Sequence, residues 1–148
     1  MVYFDSSALV KGYLLEKGSA GVVALCASPE ARYTSTLAYA EVVAAFARKF
    51  RERMISADEW ARALGDFQRD WTISFTEVAL DHSILSALPL LFQTHPLKGS
   101  DGVHLASAML LQPTAQALGD RLLFCATDER LLRAAETSGL AVMNPESA

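Results

Sequence analysis

Short apolar β-type runs that pass straight into helical segments recur along this chain, and that alternation constrains its fold more than any other feature. Val2 to Phe4 ends at Asp5, and S-S-A-L-V-K-G-Y-L-L then reads as a helix with Ser6 or Ser7 near its N-terminus. A second helix is expected over about Ser19 to Ala27, stopped by Ser28-Pro29, and Arg32 to Ser35 forms a short strand. Thr36 is the expected cap of a long helix running into A-R-K-F-R-E-R. Ser56-Ala-Asp-Glu59 has capping-box spacing and opens a helix in which Trp60, Ala63, Leu64, Phe67 and Trp71 recur at helical intervals.

The pattern repeats further on. Thr72 to Phe75 is a β-type run, followed by a helical segment from about Glu77 that Pro89 bends or breaks. Ser100 is placed to cap a helix through Leu111, and Leu122 to Ala126 is a strand leading through Thr127-Asp128 into a last helix that ends near Gly139. Leu140 to Met143 closes the chain as a strand. Strands separated by helices pair in parallel through right-handed crossovers, which predicts an α/β fold: a three-layer α/β/α sandwich around a mainly parallel sheet.

Length and composition narrow this to one domain over residues 1–148, large enough to bury a core without disulfides or a structural metal. Hydrophobic residues make up 51%, too many for a disordered segment, yet no apolar run reaches the roughly 18 residues of a membrane span. The N-terminus M-V-Y-F-D carries no basic leader or cleavage site, so a cytoplasmic location is expected. Cys26 and Cys125 stand apart from each other and from the histidines, giving neither a disulfide framework nor a zinc spacing; both read as small core residues. The formal net charge of −4 argues against gripping nucleic acid by global electrostatics, so any such binding must be local or metal-mediated.

Four acids then stand out. Glu41 is the only charge in L-A-Y-A-E-V-V-A-A-F-A, and a carboxylate on such a surface is costly to desolvate unless a cation or hydrogen bonds compensate it. Dipole compensation at the helix start, or pairing with a buried Arg, is the structural alternative. Asp101 is the only acid between Gly99 and Gly119 and sits in a first helical turn, where capping would also explain it. Asp5 and Asp128 each follow an apolar strand and precede a helix, at the sheet edge where ligands bind in open parallel α/β folds; each could singly be an N-cap. Four carboxylates converging on one sheet end would repel one another and need an ion. Hard oxygen donors without histidine or thiolate suit Mg²⁺ or Mn²⁺, ions that commonly bridge to phosphates and activate water.

The pieces F-D-S-S-A-L-V-K, S-T-L-A-Y-A-E-V, L-K-G-S-D-G-V-H-L-A-S-A and F-C-A-T-D-E-R-L-L-R-A-A occur in this order over essentially the whole chain. In them the chain resembles the PIN-domain nucleases, most closely the VapC-type toxins of bacterial type II toxin–antitoxin pairs. The resemblance implies a PIN-like fold, one or two Mg²⁺ or Mn²⁺ ions on Asp5, Glu41, Asp101 and Asp128, and endonucleolytic cleavage of RNA by metal-activated water. It also implies a homodimer and a cognate antitoxin partner. Ser6 and Thr127 match the family's small hydroxyl residues and would orient carboxylates or bind water. Some relatives carry a further acid after the last one, a part that Glu129 could take.

Other residues carry less. His104 lies one turn from Asp101, and a supporting role outside direct ligation is favoured; His82 and His95 read as surface or helix-end residues. Arg48, Lys49, Arg51 and Arg53 read as a solvated helix face, whereas Lys11, Lys98 and Arg130 are nearer in sequence to the acids and better placed to contact a substrate backbone. Trp60, Phe67, Trp71, Phe46, Phe50 and Met54 are mainly core, with a surface groove for the antitoxin as the further expectation. Two rival functions follow the same residues: a catalytically inactive PIN-like binding module, against which the four acids argue, and an aspartyl-phosphate phosphatase, against which Ser7 stands where a second Asp is needed.

Overall fold

The computed structural model describes residues 1–147. Five strands, β1 (Val2–Phe4), β2 (Arg32–Ser35), β3 (Thr76–Val78), β4 (Leu123–Cys125) and β5 (Ala141–Met143), form one sheet in the order β3-β2-β1-β4-β5, every pair parallel. The chain winds outward from β1 to β3, then returns to lay β4 on the other side of β1. The junction of β1 with β4 is therefore the topological switch point, where a crevice opens beyond the strands' carboxyl ends.

Among the described residues seven helices cover the sheet: α1 (Ser6–Tyr13), α2 (Ser19–Ala27), α3 (Leu37–Arg51), α4 (Ala57–Ser74), α5 (His82–Thr94), α6 (Gly99–Ala117) and α7 (Glu129–Thr137). Because strand side chains alternate between faces, β1 feeds two cores. Val2 and Phe4 pack with Leu9, Val42, Phe46 and Phe67 of α1, α3 and α4, while Tyr3 packs with Ile84, Leu105, Phe124 and Leu131 toward α5, α6 and α7. The three-layer α/β/α expectation holds, with an all-parallel sheet. No helix among the described residues is long and apolar enough to cross a membrane.

Several boundaries differ from the sequence reading. Thr72–Phe75 is not a strand: α4 continues through Ser74, and β3 starts at Thr76. The amphipathic stripe of Phe67 and Trp71 outweighs the β-propensity of Thr72 and Ile73, and Thr72 Oγ1 donates back to Gln68 O at 3.2 Å. Glu77 accordingly lies in β3, and α5 begins only at His82, where Asp81 Oδ1 accepts the Ser83 and Ile84 N–H groups. Thr36 makes no side-chain cap; the Ser35 hydroxyl accepts the Leu37 N–H instead. Ser100 lies inside the first turn of α6, whose N-cap is Lys98, and that helix runs on to Ala117 through Pro113. Pro89 likewise sits within α5 without ending it. The capping box at Ser56 and Glu59 forms as expected.

Candidate active site

Asp5 and Asp128 stand just past the carboxyl ends of β1 and β4, adjacent strands in register from Val2↔Leu123 to Phe4↔Cys125. Both are N-caps. Asp5 Oδ2 accepts the Ser7 N–H at 3.0 Å and also the Ser7 hydroxyl, while Asp128 Oδ1 accepts from Arg130 N and Leu131 N at 2.8 and 3.1 Å. Asp101 Oδ2 accepts the Lys98 N–H at 3.2 Å in the first turn of α6. In each aspartate one carboxylate oxygen is thus committed to its own turn, and the capping explanation offered for all three is correct as far as it goes. The second oxygens of Asp101 and Asp128 have no hydrogen-bond partner among the described residues, and that of Asp5 faces His104.

Glu41 enters from α3. Its Oε2 lies 2.6 Å from His104 Nε2, and the Ser6 and Ser100 hydroxyls lie near enough to its carboxylate to favour the charged form. Burial alone would raise its pKa, but His104 and the two serines outweigh it and hold the carboxyl below its ordinary value. The anomaly of a lone charge on an apolar helix is thereby explained by a buried histidine, not by an arginine.

His104 is 1% exposed and reaches a second acid, with Nε2 3.4 Å from Asp5 Oδ1. Burial disfavours its charged form, yet Asp5, Glu41 and Asp101 together raise its pKa. For Asp101 the direction is also upward, from burial and from the charges of Asp5 and Asp128, with the Lys98 N–H opposing. These cross-couplings bring Asp5, Glu41, Asp101 and His104 into one electrostatic neighbourhood, with Asp128 at its margin. Asp128 itself is lowered, chiefly by the backbone N–H groups it caps. Among the described residues no three Asp, Glu, His or Cys side chains close on a common point as a preassembled metal cage would.

Beside the acids opens a cleft of about 450 Å³, lined by Ser6, Glu41, Thr127 and the cations Lys11, Arg48, Lys49 and Lys98. Arg48 and Lys49, which the sequence suggests are a solvated face, belong to it because Glu41, Ala45 and Arg48 share one face of α3. Arg130 does not: it lines a separate hollow with His95, Pro96 and Arg133. Lys11 is buried, bonding Glu16 at 3.2 Å and Glu146 at 2.7 Å, and Lys49 also pairs with Glu16. Glu129 is turned toward Asn144, whose amide donates to it at 2.8 Å. Sequence reasoning missed Ser7, Glu16 and Tyr3. For Ser7 a signal existed, since Asp followed two residues later by Ser favours a local turn in which the carboxylate accepts the downstream N–H.

A family model described as "PIN domain" matches residues 2–137. The chain belongs to the PIN-domain family. Within the family, this PIN domain is 37% identical to Ribonuclease VapC45 and to Ribonuclease VapC49, both of Mycobacterium tuberculosis, over 96% of its own length and 94% of theirs. Two solved structures share its fold. FitAcB from Neisseria gonorrhoeae matches at a TM-score of 0.66 with 15% identity, covering 98% of both chains. A toxin–antitoxin complex from Klebsiella pneumoniae matches at 0.59 with 19% identity over the same shares. At such identities the likeness concerns the PIN fold alone.

Proposed function

We propose that this PIN domain is the ribonuclease toxin of a toxin–antitoxin pair, an endoribonuclease that hydrolyses RNA phosphodiester bonds using Mg²⁺ or Mn²⁺ held by Asp5, Glu41, Asp101 and Asp128. One observation carries the reading: carboxylates at the switch point of a parallel sheet, mutually coupled, sit beside a cleft in which Arg48 and Lys98 present exposed positive charge. The activity follows the relatives named as VapC ribonucleases, which match nearly end to end.

The donor set fits a hard divalent ion. It offers carboxylate oxygens, two of them without protein partners, and an Asp101 carboxyl whose pKa is raised by burial and by the charges of Asp5 and Asp128. When bound, the ion would acidify a water for attack on phosphorus and neutralise the phosphate oxygens. The chain does the rest. Ser6 and Ser100 help keep Glu41 ionised, and Ser7 fixes Asp5. Arg48 and Lys98 offer exposed charge to the RNA backbone, and Thr127 lines the same opening. Localising cations in one cleft allows a chain of net charge −4 to bind a polyanion.

The partner is an antitoxin protein, and a homodimer is the assembly this reading expects. Exposed Leu15, Phe50, Met54 and Ile73 around α3 and α4, and Leu85, Leu90 and Phe92 on α5, provide apolar surface for such contacts. The test is RNA cleavage by purified protein in Mg²⁺ or Mn²⁺ against excess EDTA, with Asp5→Ala as the inactive control. Undiminished cleavage in EDTA would sink the mechanism.

A further inference from the structure

Beneath the acids lies a buried polar chain for which the mechanism above has no use. It begins at Tyr3, wholly buried on the central strand and stacked on Phe124 with ring centroids 5.4 Å apart and planes 5° from parallel. Its hydroxyl lies 3.0 Å from His104 Nδ1, and the opposite ring nitrogen of His104 lies 2.6 Å from Glu41 Oε2. An ionised carboxylate can only accept, so Nε2 carries the hydrogen and donates it to Glu41. Asp5 Oδ1 is 3.4 Å from that same nitrogen. One N–H on α6 therefore stands between two acids from different elements, Asp5 after β1 and Glu41 on α3, whose charges would otherwise drive them apart. Stacking fixes Tyr3, and Tyr3 fixes the ring: turning the imidazole over would place carbon atoms opposite both the hydroxyl and the carboxylate.

We propose that His104 is a positioning residue that clamps Glu41 beside Asp5, with Tyr3 locking its orientation, so that both carboxylates are preset for a divalent ion. The inference rests on the metal-dependent reading above. His104 never touches substrate, because it is 1% exposed and lies beneath the cleft. Its contribution appears in metal affinity and turnover, not in the KM for RNA.

The test compares His104→Gln with His104→Asn in the full chain. The glutamine amide reaches the position of Nε2 and can still donate to Glu41, whereas the asparagine amide reaches only that of Nδ1. Both lose the ring and keep similar polarity, so damage to the fold is common to both. Mn²⁺ binding is measured by titration calorimetry, with kcat and KM for RNA and melting temperatures alongside. His104→Asn is expected to weaken Mn²⁺ binding by about 10–100-fold, the usual cost of losing a residue that orients a ligand, and His104→Gln to recover most of it. Tyr3→Phe is expected to weaken Mn²⁺ binding by a smaller factor, with KM for RNA unchanged. Equal Mn²⁺ affinity in all three, or equal losses in the Asn and Gln variants that track melting temperature, would overturn the clamp while leaving the metal site standing. If the native chain cleaves RNA but binds no Mn²⁺, the metal reading falls and the clamp with it.

Discussion

Ser7 Oγ accepts the Thr127 N–H at 3.1 Å and donates to Asp5 Oδ2, so the turn after β1 is bonded directly to the turn after β4. Removing this hydroxyl strands a backbone donor and takes from Asp5 Oδ2 one of its two bonds to residue 7. For Ser7→Ala we expect a loss of about 1–3 kcal/mol in stability from the unmet donor. RNA cleavage at saturating Mg²⁺ is expected to fall about 10–100-fold. Denaturant unfolding and initial rates on one RNA substrate check the pair. Unchanged cleavage would show that Asp5 needs no such support.

Asp101→Asn should raise the melting temperature of the metal-free protein at neutral pH. Its pKa is raised in the fold by burial and by Asp5 and Asp128, so the unfolded chain releases this proton first as pH rises. The resulting cost to folding is absent below the ordinary carboxylate range and fully present above the raised value. Asparagine keeps an oxygen for the Lys98 N–H while removing the charge. The gain should therefore vanish in acid, and melting curves at pH 7 and below pH 4 test the sign. A drop at pH 7 would mean that Asp101 is chiefly a cap.

Glu16 moves in the opposite direction. Burial pushes its pKa up, but Lys49 and Lys11 prevail and lower it. The stability it contributes is present above the ordinary carboxylate pKa and disappears as pH falls through the lowered one. Glu16→Gln should destabilise the protein at neutral pH and flatten the acid limb of its stability curve, because buried Lys11 would keep only Glu146 as a partner. An acid limb identical to that of the native chain would refute this.

Cations in the cleft should be separable from those outside it. Arg48→Ala or Lys98→Ala is expected to weaken RNA binding and reduce the magnitude of the salt slope by up to about 1 for each phosphate that is no longer neutralised. Arg130→Ala, which alters a different hollow, should leave the slope unchanged. Binding isotherms at several salt concentrations, with Ca²⁺ in place of Mg²⁺ to suppress cleavage, decide between the two sets. Equal effects at Arg48 and Arg130 would contradict the assignment of the cleft.

How much of the fold and the site is legible in the residues depends on whether the determining interactions are local. Strand-to-acid-to-helix junctions at Asp5 and Asp128 are encoded within a few residues, and both caps lie where the sequence predicts helix starts. Thr72–Phe75 misleads because β-branched residues look like a strand until the Phe67–Trp71 face is seen packing against the core. Glu41 is conspicuous as an unexplained charge, but the partner that explains it is 63 residues away, and the tyrosine behind that partner is 101 residues from it. Arg48 is accessible to sequence reasoning in principle, since it falls seven residues after Glu41 on the same helix face.

The central position of β1 also governs when the proposed carboxylate set can assemble. Of the four proposed acids, Asp5, just past β1, is synthesised first and Asp128, just past the neighbouring strand β4, last. Pairings between such distant segments form late and slowly. On the proposed site, a nascent chain therefore lacks one of the four carboxylates, and the strand pairing that sets it beside Asp5, until β4 and Asp128 have been translated.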